Sequence, residues 1–172
     1  MVGVAAWLAL LAGPAEARVY HVLKSGADAW TVMDPQALER LPGTRILRGW
    51  SVTVQRSIHG AGGPLQPGYV RALYDYDCEF SLTRWRSLSI YSSTGVLLIT
   101  DENKTPRWVS AAAQPETLAA WRVACSGGAG ASVISADSIG QVVIALLRSF
   151  DPPPAPAPAP APASPPPSPK RR

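Results

Sequence analysis

Two cysteines, two histidines and a short row of carboxylates are the residues of this chain whose types and spacing could do chemistry. Cys78 closes the run 69–77 and Cys125 closes a run with helical spacing, so a bond between their sulfurs would tie a strand end to a helix end. In a loop-closure treatment such a crosslink stabilises by roughly 4 kcal/mol, a large share of what holds a small domain folded. The competing chemistry is nucleophilic: a Cys78 thiolate with His21 or His59 as base, which needs a reduced thiol beside an imidazole. Asp75, Asp77 and Glu79 stand at i, i+2 and i+4 on one face of a strand, a spacing able to hold Ca²⁺. An EF-hand loop fails there, because Phe80 stands where glycine is needed and Arg86 where the bidentate glutamate belongs. Cross-strand pairing with Arg84, Arg86 or Arg71 accounts for the carboxylates more simply. His21 and His59 have no acidic companion at ligand spacing and read as surface residues. The sequence contains no G-x-S-x-G, H-E-x-x-H, C-x-x-C-H or phosphate-cradling glycine pattern, so hydrolase, zinc-protease, haem and nucleotide chemistry lose their support. No catalytic residue, cofactor ligand or metal ligand is assigned.

The ends of the chain bear on where these residues work. Residues 1–17 read as a secretory signal: an apolar run over 2–12, the helix-disrupting Gly13-Pro14, then Ala15-Glu16-Ala17, with cleavage between Ala17 and Arg18. The usual basic segment before the apolar run is missing. That run is also far short of the roughly 20 residues that span hydrocarbon, so no membrane insertion is expected after cleavage. Leu11-Ala12-Gly13 resembles a lipoprotein signal, but Pro14 stands where that signal requires cysteine, and no lipid anchor is expected. In an oxidising compartment, with no third thiol to compete, one disulfide is the simplest fate of two cysteines.

Eleven of the 18 prolines fall in residues 151–172, mostly alternating with alanine, before the basic tip Lys170, Arg171 and Arg172. Proline fixes φ and gives up its donor, so this segment is expected to be a disordered or extended spacer outside any sheet. Its basic end either stays solvated or docks to anionic envelope components. Without signal and tail, 13 basic and 10 acidic residues remain, a mild +3. A nucleic-acid partner would call for basic clusters interleaved with aromatics, and none is expected.

Between these ends, residues 18–150 read as one α+β domain: a small antiparallel β-sheet of about five or six strands packed against one or two α-helices. Strands are expected over 19–23 at a sheet edge, 30–33, 44–55, 69–77, 85–92 and 96–100. A short helical turn follows Asp34-Pro35, and Trp108-Val109 is either a last strand or a plug. Residues 57–67, with three glycines and two prolines, read as a loop. A helix after Pro115 places Leu118, Trp121, Arg122 and Cys125 at helical spacing. A glycine-rich hinge then leads to a second helix, in which Ile139, Val142, Val143, Leu146, Leu147 and Phe150 form an apolar stripe capped by Asp137 or Ser138.

Alternation along the strands predicts Val70, Ala72, Tyr74 and Tyr76 on the face covered by the first helix, with Leu88 and Ile90. Tyr69, Arg71, Trp85 and Tyr91 then share the outward face. Aromatics with an arginine compose a candidate binding surface, unless the second helix lies on it.

Tyr74-x-Tyr76-Asp77-Cys78, the hairpin over 85–100 with its Tyr91-x-x-Thr94-Gly95-Val96 turn, Trp108, and the helix closing at Cys125 resemble the surface-adhesin protein E-like family of bacterial exported proteins. The resemblance covers roughly residues 30–125. It implies a small antiparallel sheet packed with helix, a place in the periplasm or at the cell surface, and, in adhesin members, binding to host proteins. The chain departs from the family in lacking a lipid-attachment cysteine and in adding a second helix and the Pro-Ala tail. The expected function is that of a non-enzymatic exported binding protein, adhesin-like, with a host or envelope protein as partner and a homodimer left open. The alternative is a periplasmic structural or assembly factor that uses the tail as a spacer to the envelope.

Overall fold

Long antiparallel strands dominate the architecture because the central stretch of the chain alternates branched and aromatic residues with polar ones almost without a break. The computed structural model describes residues 17–59, 65–128 and 131–150. The expected signal up to Glu16 and the basic tail at Lys170, Arg171 and Arg172 lie outside the described residues, and Arg18 opens the first strand. Nine strands are described: β1 (Arg18–Lys24), β2 (Ala29–Met33), β3 (Glu39–Arg40), β4 (Ile46–His59), β5 (Leu65–Asp77), β6 (Leu82–Ser92), β7 (Leu97–Glu102), β8 (Val109–Ser110) and β9 (Val133–Ala136). The two helices are α1 (Pro115–Ser126) and α2 (Ile139–Ser149). All pairings are antiparallel, in the order β7-β6-β5-β4-β2-β1-β9, with β3 added beside β4 and β8 beside β6.

The α+β class holds, and the sheet is larger than expected. β1 is no edge strand, because β9 pairs along it from Arg18↔Ala136 to His21↔Val133. The expected loop over 57–67 is shortened from both sides, as β4 runs on to His59 and β5 begins at Leu65. Gly68, inside β5, marks a close approach of two strands: a Cβ there would lie 2.4 Å from the Tyr91 carbonyl oxygen.

Each helix covers one part of one sheet face. On the first face, Val142, Val143 and Leu146 of α2 and Phe150 at its C-terminal cap bury against Tyr20, Val32, Val52 and Val54, with Tyr69 packed alongside. This is the predicted stripe, started by Ser138, whose Oγ accepts from the Gln141 amide. On the opposite face, Ala120, Val123 and Ala124 of α1 bury against Met33 and Tyr76. The α1 stripe differs from the expected one: Trp121 and Cys125 are only partly buried and Arg122 is exposed. Fully burying a valine or leucine side chain contributes about 1.5–3 kcal/mol, so these two clusters are what fix the helices.

Candidate functional site

The sheet face that carries α2 is only partly covered by it. No apolar side chain of β6 or β7 joins the α2 cluster among the described residues, and on that uncovered stretch the register brings arginines and tryptophans together. Cross-strand partners point to the same side of a sheet. Arg48↔Asp75↔Arg84 and Trp50↔Leu73↔Ser87 are therefore neighbouring rows of one surface.

At its centre Asp75 is fully buried. It accepts from Arg48 Nε and Nη2 at 2.7 and 3.2 Å and from Arg84 Nε at 2.8 Å, while Arg86 Nε stands 3.9 Å away. Burial pushes the Asp75 carboxyl up, but the hydrogen bonds and charges of Arg48 and Arg84 outweigh it and hold the group below its ordinary value. The three arginine side chains stay 22–35% exposed, so one buried carboxylate fixes two half-wet cations in place, with a third close by. Arg84 also lies over the Trp108 ring, 4.4 Å from its centroid, and Arg71 over Trp50 at 4.7 Å.

A β-bulge builds this arrangement. Leu73 pairs with Ser87 but the next residue, Tyr74, pairs with Trp85, leaving Arg86 as the extra residue. The bulge reverses the alternation of β6 below Ser87. It turns Arg84 toward Asp75 and sends Trp85 to the other face, where with Tyr74 and Thr117 it lines a cavity beside α1.

The expected candidate face is corrected accordingly. Tyr69 and Tyr91 do share a face, their rings stacked 4.8 Å apart, and Arg71 lies on it between them and Trp50. Trp85 is on the opposite side. Tyr69 packs under α2, so the second helix does lie on that end of the surface. Leu88 and Ile90 belong, with Val70 and Ala72, to the α1 face, yet none of the four enters the cluster beneath α1.

The other chemistry-bearing residues separate. Cys78 and Cys125 form a disulfide with Cα atoms 5.4 Å apart, which leaves neither thiol to act as a nucleophile. Trp121 Nε1 donates to the Asp77 carbonyl at 2.9 Å, so α1 is held to the end of β5 by both bonds. Asp77 Oδ1 accepts the amides of Glu79 and Phe80, and Glu79 pairs with Arg45 at 2.6 Å. The three carboxylates thus go to three different partners. Asp75 finds Arg84 and Arg86 as expected, and Arg48, which sequence reasoning missed; Arg71 is not among its partners. His21 is not a surface residue in full, for its Nδ1 is buried against Gly128 without a hydrogen-bond partner among the described residues. His59 ends β4.

Fold and surface together define a disulfide-bridged α+β domain that presents a fixed arginine-tryptophan face. The bridge is consistent with an oxidising compartment. Among the described residues no helix is long and apolar enough to cross a membrane. Comparison with known proteins finds no matching family model, curated protein or solved structure.

Proposed function

We propose that this chain is a non-enzymatic exported bacterial protein that binds a protein partner through the uncovered part of the sheet, as an adhesin-like module of the surface-adhesin protein E-like type. The observation that carries the reading is Asp75, fully buried and holding Arg48 and Arg84 in place with Arg86 close by. Arginine and tryptophan are enriched where proteins bind each other tightly, and side chains already ordered lose little further freedom on binding. The disulfide supports export, and the engagement of both sulfurs speaks for binding over thiol catalysis.

Fractionation of the producing bacterium tests the reading. Digestion of the protein by protease added to intact cells is the expected outcome. Release by osmotic shock from protease-resistant cells would instead favour a periplasmic structural or assembly factor. A cytoplasmic protein with two free thiols would overturn both.

A further inference from the structure

We propose that the cavity between the first turn of α2 and the sheet binds a small amphipathic organic anion, with Arg71 receiving its carboxylate or phosphate and the floor of the cavity its apolar body. This site shares Arg71 and Trp50 with the edge of the arginine-tryptophan surface and does not depend on the protein partner proposed for that surface.

The inference starts from the arginines. Among the described residues, four are half-buried: Arg48, Arg71, Arg84 and Arg86. Three of them have Asp75 within 4.0 Å, and Arg71 has no carboxylate partner among the described residues. Its Nε is buried and finds no hydrogen-bond acceptor among the described residues, although an unpaired buried charged donor is costly and such groups are ordinarily satisfied. The ring of Trp50 supports one side of the guanidinium. Arg71 also lines a cavity of about 410 Å³, within the range of small-molecule sites.

The walls of that cavity indicate what would fit. Tyr20, Val32, Val52 and Ile139 make much of it apolar, which suits a hydrocarbon or aromatic body better than a bare inorganic ion. Two carboxylates also line it, and each is already engaged. Asp34 pairs with Arg18 at 3.1 Å and accepts the Gln36 amide, and Asp137 accepts from Gln141 Nε2. Asp137, Ser138 and Ile139 bring the positive end of the α2 dipole to the same space, which adds to the preference for an anion. A second cavity of about 230 Å³ also borders Arg71, next to Tyr69 and Thr94, and gives a longer ligand room to extend.

The test uses the full mature chain and the fluorescent aromatic anion 8-anilinonaphthalene-1-sulfonate, with octanoate, octyl phosphate and octanol as competitors. Saturable one-to-one binding is expected, with octanoate or octyl phosphate displacing the probe and octanol at least about tenfold weaker, a factor worth about 1.4 kcal/mol. Arg71→Met should weaken the probe and both anions by a similar factor and leave octanol unchanged. Arg122→Gln, on the exposed side of α1, should change nothing. Ala37→Trp, at the exposed rim of the cavity, should abolish probe binding at an unchanged melting temperature, and it serves if Arg71→Met does not fold. The proposal is overturned by absence of saturable binding to the wild type, by octanol competing as well as the anions, or by wild-type affinity in both Arg71→Met and Ala37→Trp.

Discussion

Arg48 grips Asp75 across two neighbouring strands with two hydrogen bonds, Nε to Oδ1 at 2.7 Å and Nη2 to Oδ2 at 3.2 Å, in the fork geometry that makes guanidinium-carboxylate pairs specific. Because Asp75 is fully buried and also takes Arg84, its removal leaves two cations facing each other. Asp75→Asn is expected to cost about 3 kcal/mol, the low end for a broken buried pair because the arginines keep contact with water. Urea midpoints at neutral pH measure it.

The same pair sets a pH dependence. The Asp75 carboxyl is held below its ordinary value in the folded state. Its stabilising contribution is therefore fully present above the unfolded carboxylate pKa of about 3.9 and is lost as pH falls through the folded value. The stability gap between wild type and Asp75→Asn should be constant from pH 7 to about pH 5 and shrink below about pH 4. Urea titrations across that range report it, and a gap that grows on acidification would contradict the assignment.

Cys78→Ser or Cys125→Ser should each lower stability by about 2–5 kcal/mol, since either removes the crosslink between the end of β5 and α1. Thiol titration of the denatured, unreduced protein should find no free thiol, and two equivalents would contradict the bridge. The Trp121 hydrogen bond to the Asp77 carbonyl remains in these variants, so α1 should be loosened and not lost.

Gly128 and Gly43 offer a controlled comparison. Both have positive φ, 72° and 68°, but a Cβ at Gly128 would stand 2.1 Å from His21 Nδ1 while one at Gly43 meets nothing within 4 Å. Gly43→Ala should cost about 1–2 kcal/mol, the left-handed backbone penalty alone. Gly128→Ala adds displacement of the His21 ring, and a larger loss of melting temperature is expected.

Where the fold was legible in the sequence, one element carried its own signal. The α2 stripe runs from Ile139 to Phe150 and needs no partner to be recognised, and Ser138 caps it as its position implies. β9 was not legible: four residues after a glycine run become a strand only because Arg18 to His21, more than a hundred positions earlier, supply the pairing. β3 depends in the same way on Leu47 and Arg48. The disulfide followed from the cysteine count and the expected oxidising compartment. The candidate site was only half legible, since strict alternation placed Tyr69, Arg71 and Tyr91 together but failed at Trp85. One inserted residue, Arg86, reverses the alternation, and nothing in the local composition marks a bulge there. Arg48 was missed as a partner of Asp75 because the register of β4 against β5 is set by the whole length of both strands.

The central claim is that the arginine-tryptophan part of the sheet meets a protein partner. Photo-crosslinking in the producing cells tests it most directly, with benzoylphenylalanine placed at Ser87, in the row beside Asp75 and Arg84, or at Ala145, on the exposed side of α2. A discrete higher-mass adduct from position 87, lost on adding Arg84→Ala and absent from position 145, is the predicted result. No adduct from position 87, or the same adducts from both positions, would contradict the account.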